Sequence, residues 1–149
     1  MVAICAGCSD EDLRKHLVPS DTTILGIVKH LAWVEGWWFH TVFGGRPDIG
    51  PSSPEDPNAD FRIEPDESTS DILDFYAAQC AKSNALIEAG SLDDLGHDPR
   101  PSARKDVSLR WIVGRMIAET ARHAGQADIL REQLDGAVEL GHSSTPTFD

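Results

Sequence analysis

The chain has 149 residues, a formal net charge of −12 and a sequence pI near 4.7. This length fits one domain that buries roughly two-thirds of the surface its unfolded chain exposes. So acidic a composition lacks the basic stripe that binds a phosphate backbone, and we expect no nucleic-acid partner. No apolar run reaches the roughly 18 residues of a membrane span, and the start of the chain lacks the pattern of a signal peptide. We therefore expect a soluble, cytoplasmic protein with no membrane partner.

Residues 1–19, MVAICAGCSDEDLRKHLVP, leave room for only a short helix. They contain one C-x-x-C pair, Cys5 and Cys8, with no second cysteine pair and no following strand–helix–strand pattern. Such a pair alone is weak evidence for a zinc or redox site, so we interpret these residues as ordinary thiols.

The first strong pattern is an apolar repeat at three- and four-residue steps, the spacing of an amphipathic helix. It predicts a helix from Ile24 to about Val42. Ser20 and Asp21, just before it, offer side-chain oxygens suited to capping its N-terminus.

Two further segments have the same helical spacing. One is STSDILDFYAAQCAKSNALIEAG, which opens with Ser and Asp caps and closes at Gly90. The other runs from about Ser108 to Leu134, and Gly136 supplies its stop. Since no multi-strand pattern accompanies these helices, the sequence predicts a single all-α domain over residues 1–149, packed as a bundle.

The connections between the predicted helices are long. Residues 43–69 are rich in Pro, Gly and acidic side chains, and only the brief FRI could add an extended piece. A loop of this length in a compact domain is typical of a lid, a binding loop or a disordered segment. The connection SLDDLGHDPRPSARKD is also polar and rich in turn residues, and residues 137–149 form a tail.

A candidate metal site comes from Glu119 and His123, which lie four residues apart in the third predicted helix. This spacing projects both side chains toward one point, with His123 on the apolar stripe. A third ligand must come from a facing helix, and His30, beside the apolar stripe of the first predicted helix, is the best candidate. A surface Glu–His pair that binds no metal is the alternative interpretation.

Five other residues are candidates for a surrounding pocket. Trp33, Trp37 and Trp38 fit either core packing or a substrate wall, and His40 fits a pocket edge. Gln126 could support a metal ligand through a hydrogen bond or simply face solvent.

The remaining polar candidates have simpler interpretations. Arg122 directly precedes His123 and points about 100° away from it around the helix, so we expect it to be exposed or at an interface. Solvation in loops or in the tail accounts for His16, His97 and His142.

Several stretches resemble a known family. LVPSDTTILGIVKHLAWVEGWWF, ADFRIEPDESTSDIL and VSLRWIVGRMIAETARHAGQADILRE look like the DinB-like (YfiT-like) superfamily of metal-binding four-helix bundles. They look most like its actinobacterial branch, which is similar to mycothiol-dependent enzymes. The resemblance runs from Ser9 to Gly136, and its most specific elements are VKHLAWVE and ETARHAGQAD.

The resemblance implies a fold, a ligand set and an assembly. The fold is a DinB-like four-helix bundle with a shortened first helix and long connecting loops. The ligands of a divalent metal are His30, His123 and, as in the maleylpyruvate isomerase type, Glu119. The assembly is a homodimer. This chain departs from the branch at Gln126, where members often have a histidine, and in its short first helix, which would leave one side of the bundle uncovered or covered by a partner.

The chemistry follows from the ligand set. Two imidazoles and one carboxylate leave an open position on a divalent ion, most simply zinc, which is the arrangement of a catalytic site. We expect metal-bound water or a metal-bound thiolate to be the reacting group, with no protein nucleophile. Mycothiol or a related thiol would then be transferred to a small electrophile, or used to isomerise it, with the loop as lid or substrate wall. A non-haem iron enzyme, or a non-catalytic, stress-related bundle that binds a metal or ligand, remains an alternative.

Overall fold

The computed structural model describes residues 1–47, 50–100 and 106–138. Its helices are α1 (Asp10–Leu13), α2 (Ile24–Glu35), α3 (Thr69–Ala89) and α4 (Leu109–Asp135). Strands β1 (Leu95–His97) and β2 (Asp106–Ser108) pair between α3 and α4, and single 3-10 turns occupy Val2–Cys5 and Ala59–Phe61. The prediction of a mostly α-helical bundle with a short first helix is confirmed.

Helix α2 begins at Ile24, as predicted, but its capping residue differs from the predicted ones. Its N-cap is Thr23, whose hydroxyl accepts a hydrogen bond from the backbone N–H of Gly26, so neither Ser20 nor Asp21 caps it. After Glu35 the helix continues with π-helical geometry over Gly36–Phe43. This extension carries the same helix through the whole length predicted for it.

Helices α3 and α4 begin and end where their capping residues place them. Ser68 and Asp71 form a capping box at the start of α3, and Gly90 follows its last residue. Ser108 caps α4 by accepting from the backbone N–H of Trp111, and Gly136 ends it with φ of 73°. That left-handed backbone is the conformation in which glycine terminates helices most readily.

Helix α2 is the centre of the packing. Helix α3 and helix α4 each contact α2 more than they contact one another. One apolar cluster joins the first half of α2 to α1 and to the C-terminal half of α4, and a second joins the π-helical segment to the start of α4. His30 lies within the part of α2 that belongs to the first cluster, and its ring contacts Glu119 and His123 of α4.

The antiparallel hairpin is an element that the sequence did not predict. Gly96 pairs with Val107 at its centre, and a Cβ at Gly96 would come within 2.7 Å of the carbonyl oxygen of Val42. The three-residue strands are too short for an alternating pattern to stand out from the polar connection around them. Glycine at this position lets the hairpin lie directly on the end of the π-helical segment.

The long loop passes across the side of α2. Its FRI stretch is not a strand, because Phe61 closes a 3-10 turn and the extended Arg62 after it pairs with no described strand. Buried Lys29 fastens the loop by donating to the carbonyl of Arg62 and to the carboxylate of Glu67, both at 2.6 Å. Two loop residues, 48 and 49, residues 101–105 of the second connection and tail residues 139–149, including His142, lie outside the described residues. None of the described helices is both long enough and apolar enough to cross a membrane.

Candidate metal centre

The structure brings His30, Glu119 and His123 together between α2 and α4. Glu119 and His123 are 4 % and 2 % exposed, and His30 is nearly as enclosed. Glu119 Oε1 lies 3.0 Å from His123 Nε2 and 3.5 Å from His30 Nε2. Within the described part of the chain, these residues form the one group of three potential ligand side chains with converging donor atoms.

The spacing of the three atoms suits a divalent cation. Zinc bonds of about 2.0–2.1 Å in a tetrahedral site place neighbouring ligand atoms roughly 3.4 Å apart. Moreover, His30 Nε2 is buried and makes no hydrogen bond to a described residue, although Glu119 Oε1 lies at the limit of reach. A buried nitrogen lone pair beside a carboxylate oxygen is unfavourable unless a cation lies between them. The residues present therefore fit a metal ion.

Asp60 sets the orientation of the His30 ring. Its Oδ2 lies 2.7 Å from His30 Nδ1, and both side chains are largely buried. An ionised carboxylate only accepts, so Nδ1 carries the proton and Nε2 keeps its lone pair toward Glu119. The ring of Phe61 stacks on the His30 ring, with the two ring centroids 3.9 Å apart and the planes inclined by 13°. This carboxylate–histidine arrangement is the usual support of a metal ligand.

Two guanidinium groups keep Glu119 ionised. Arg115 donates to Glu119 Oε2, and Arg122 donates to Oε1 at 2.9 Å. Burial raises the pKa of Glu119, but the hydrogen bond and positive charge of Arg115, with smaller contributions from His123 and Arg122, lower it to about 2. The carboxylate is thus available as an anionic ligand at any physiological pH.

His123 is kept neutral. Burial lowers its pKa, and the neighbouring His30 ring and Arg122 lower it further, while hydrogen bonds with Glu119 and Gln126 act in the opposite direction. A metal-ligating histidine must be unprotonated, so a lowered pKa reduces the competition from protons.

Arg122 contacts the site itself, contrary to the expectation that it points away. Its Nη2 lies 3.0 Å from His123 Nε2, which is also 3.0 Å from Glu119 Oε1, so this nitrogen accepts from Arg122 in one tautomer and donates to Glu119 in the other. The cationic group therefore lies against both His123 Nε2 and Glu119 Oε1. Its side chain is 60 % exposed, which leaves it free to withdraw toward solvent when another cation enters.

A cavity of about 620 Å³ reaches the site from outside. We call it the His123 cavity, and it is lined by Arg122, His123 and Gln126 of α4, by Asn58 and Phe61 of the loop and by His16. His16 is exposed and lies in a loop, as interpreted from the sequence, and it also lines this cavity. The cavity is large enough for a small-molecule substrate.

One family model matches most of the chain. The model of the mycothiol-S-transferase family matches residues 1–136. The chain belongs to the mycothiol-S-transferase family. This family lies within the DinB-like superfamily, so the resemblance is confirmed, and membership supports a mycothiol-related enzymatic role. No curated protein and no solved structure matches the chain.

The three tryptophans and His40, which the sequence suggested as pocket residues, lie in two different places in this member of the mycothiol-S-transferase family. Trp38 is 6 % exposed and belongs to the second apolar cluster, so it is a core residue, and its ring also contacts the exposed Trp111. Trp33, Trp37 and His40 line a separate cleft that shares no described residue with the His123 cavity. Trp33, Trp37 and His40, which were candidates for a pocket around the metal ligands, therefore line a different cleft from the one that reaches His123.

Sequence reasoning missed Asp60, Arg115 and Arg122. Arg115 lies four residues before Glu119, and that spacing was a usable signal because it joins side chains on one helical face. Arg122 reaches Glu119 by the comparable three-residue step. Asp60 gave no such signal, since it belongs to an irregular loop thirty positions from its partner His30.

Proposed function

We propose that the protein is a metal-dependent thiol S-transferase or isomerase that uses mycothiol or a related low-molecular-weight thiol. The observation that carries this proposal is the convergence of His30 Nε2, Glu119 Oε1 and His123 Nε2 at the end of a cavity in a member of the mycothiol-S-transferase family. We propose zinc as the metal, because two imidazoles and one carboxylate suit a catalytic zinc site.

A divalent metal at this site would lower the pKa of a thiol that reaches it, so that the thiol reacts as a thiolate at neutral pH. The chain's own groups prepare that step. Asp60 fixes the tautomer of His30, and Arg115 keeps Glu119 ionised. The low exposure of His123, 2 %, limits water around the reacting atoms.

The transfer itself needs no protein nucleophile. The thiol loses its proton to solvent, its sulfur forms a bond to an electrophilic carbon of the second substrate, and the electron pair of the broken bond leaves with the leaving group. For an isomerase, the sulfur adds to a double bond and departs again after rotation. Arg122, on the wall of the His123 cavity, is placed to pair with an anionic group of either substrate.

The loop over residues 43–69 supplies the other wall. Asn58, Phe61 and Ile63 line the His123 cavity opposite α4. We propose that this part of the loop positions the second substrate, since it is fastened to α2 through Lys29 and lies directly against His30. Its role as a moving lid stays a prediction.

The test is thiol consumption by metal-loaded protein. Zinc-loaded wild type is incubated with mycothiol and a panel of small electrophiles, and free thiol is followed beside His123→Ala and the exposed-site control His97→Ala. We expect turnover in wild type and in His97→Ala, and background consumption in His123→Ala. Equal, background rates in all three proteins across the panel would contradict the proposed transferase.

The ligand set also supports a second candidate. Two histidines and one carboxylate with open positions are the ligands of non-haem iron(II) oxygenases. Turnover that requires both iron and oxygen, and that zinc abolishes, would favour this candidate. A metal that alters the melting temperature while no substrate turns over would instead favour a non-catalytic bundle.

The resemblance leads us to propose a homodimer in the cytoplasm. Sedimentation velocity over a hundredfold range of protein concentration tests the oligomeric state. A single species of about twice the chain mass is expected, and a monomer throughout the range would contradict it.

A further inference from the structure

A second cleft lies beside α2, away from the His123 cavity. Its volume is about 510 Å³, within the range of small-molecule sites. We call it the Trp cleft and define it by its side chains from α2, the π-helical segment, the start of the loop and α3: Trp33, Trp37, His40, Arg46, Gln79 and Lys82. Nothing in the proposed thiol chemistry uses these residues.

The first feature of the Trp cleft is its charge. Among the described lysines and arginines, three form no ion pair, namely Lys15, Arg46 and Lys82, although the chain contains 25 acidic residues. Two of the three lie at this cleft, and no acidic side chain is among its described lining. In a protein of net charge −12, the cleft is therefore a local site of positive potential.

The second feature is a set of buried polar atoms without partners. The indole nitrogens of Trp33 and Trp37, Nε2 of His40 and the amide oxygen of Gln79 make no hydrogen bond within the described part of the chain. Gln79 is itself 8 % exposed. Leaving such a group unsatisfied costs about 1–3 kcal/mol, and an indole N–H can only donate. Among these atoms the two indole nitrogens are donors that an acceptor group would satisfy, whereas Gln79 Oε1 is itself an acceptor.

The third feature is the shape of the apolar wall. The two indole rings lie one helical turn apart on α2 and its π-helical continuation, with Leu86 and Ala85 of α3 opposite them. Flat rings along one side of a cleft favour a planar, apolar ligand. Gly36 lies between the tryptophans, and a Cβ there would be 3.7 Å from Gln79 Oε1, an ordinary van der Waals distance.

We propose that the Trp cleft binds a small aromatic carboxylate, with its ring against Trp33 and Trp37 and its carboxylate toward Arg46 and Lys82. The positive charge selects an anion, the indole wall selects a planar body, and the volume limits the ligand to a small molecule. This site is independent of the metal centre and of the proposed transfer of a thiol.

The test uses 2-naphthoate as the probe and isothermal titration calorimetry as the readout, on full-length protein treated with a chelator so that no metal can bind the carboxylate. Two analogues of the probe separate the contributions of charge and rings to binding, since 2-naphthamide keeps the rings without the charge and acetate keeps the charge without the rings. We expect saturable binding of one naphthoate per chain. Each analogue should bind at least roughly tenfold more weakly, because a charged hydrogen bond and the burial of the rings each contribute that much to the affinity.

Matched variants assign the binding to this cleft. Lys82→Ala and Arg46→Ala should each weaken naphthoate binding roughly tenfold. Lys15→Ala removes the other exposed lysine without an ion pair and should leave binding unchanged, as should His123→Ala. Far-UV circular dichroism of every variant separates lost binding from lost fold.

Three results would overturn the proposal: no saturable binding to folded wild type, equal binding of naphthoate and naphthamide, or binding that His123→Ala abolishes and Lys82→Ala leaves intact. The last result would place the carboxylate in the His123 cavity. Because the metal-free protein is used, failure here leaves the transferase proposal to its own test.

Discussion

Substitution of Asp60 should weaken metal binding, although Asp60 is not itself one of the proposed metal ligands. Asp60→Asn keeps the size of the side chain but weakens its hold on His30 Nδ1, 2.7 Å away. We expect metal affinity to fall about 10–100-fold, the usual cost of losing such support. Competition with a metal-sensitive chelating dye measures this change.

The control is Asp56→Asn, which alters the same loop at an exposed carboxylate paired with Arg62. It should leave metal affinity close to wild type. Equal affinities in Asp60→Asn and wild type would show that His30 does not need its carboxylate partner.

Glu119 should make the metal-free protein sensitive to acid. Its folded pKa of about 2 lies below its ordinary value of 4.5, so the carboxylate stabilises the fold fully above about pH 4.5 and loses that contribution as pH falls toward 2. The difference in unfolding free energy between wild type and Glu119→Gln should therefore be largest at pH 5 and shrink at pH 3. Urea unfolding at both pH values, in chelator, measures it.

Glu132→Gln, at an exposed position of the same helix, controls for the chemical change. A wild-type advantage over Glu119→Gln that stays constant between pH 5 and pH 3 would contradict the lowered pKa of Glu119.

The residues of the site differ in how well the sequence predicts them. The helical repeat alone places Glu119 beside His123, because residues four apart share a face. The apolar stripe made His30 the best candidate for the third ligand, and the resemblance strengthened this choice, since its pairing with α4 depends on how helices pack. Asp60 could not be predicted, because no repeat relates an irregular loop to the helix it crosses.

At the scale of elements, Gly26 joins α2 to the loop. A Cβ there would lie 2.5 Å from the carbonyl oxygen of Phe61, the residue that stacks on His30. Gly26→Ala should therefore displace the loop, destabilise the protein by about 1–3 kcal/mol and weaken metal binding. Urea unfolding and the dye competition measure the two effects.

Gly114→Ala is the matched control in α4, because nothing lies within 4 Å of its added Cβ. Alanine should there stabilise the helix by about 0.5–1 kcal/mol. If Gly26→Ala were as stable as wild type, the contact between the loop and α2 would not restrain the site.

The helices were predicted well because their signals are local. Ser68, Gly90, Ser108 and Gly136 stand at the predicted boundaries, where side-chain caps and glycine end helices. The cap of α2 was predicted wrongly, because several oxygen-bearing residues precede it and only packing selects Thr23. The hairpin and the π-helical geometry were missed, because both depend on contacts between distant segments.

At the scale of the whole molecule, a metal bound by His30 of α2 and by two residues of α4 would join helices that otherwise meet through side-chain packing. Zinc at one hundred times its dissociation constant should add about 2.7 kcal/mol to the stability of the folded chain. This corresponds to a rise in melting temperature of roughly 5–10 °C for a protein of this size.

Differential scanning calorimetry with zinc and with chelator measures the rise. His97→Ala should retain it, since His97 lies on the exposed hairpin. The same melting temperature with and without zinc would contradict a metal that bridges α2 and α4.

The central claim is that His30, Glu119 and His123 hold one metal ion. Its most direct test is the metal content per chain of protein purified without chelator, measured by plasma mass spectrometry for wild type and for folded His123→Ala. The account predicts about one divalent ion per wild-type chain and close to none in the variant. Equal metal content in the two proteins, or no metal in wild type even after zinc is added, would contradict it.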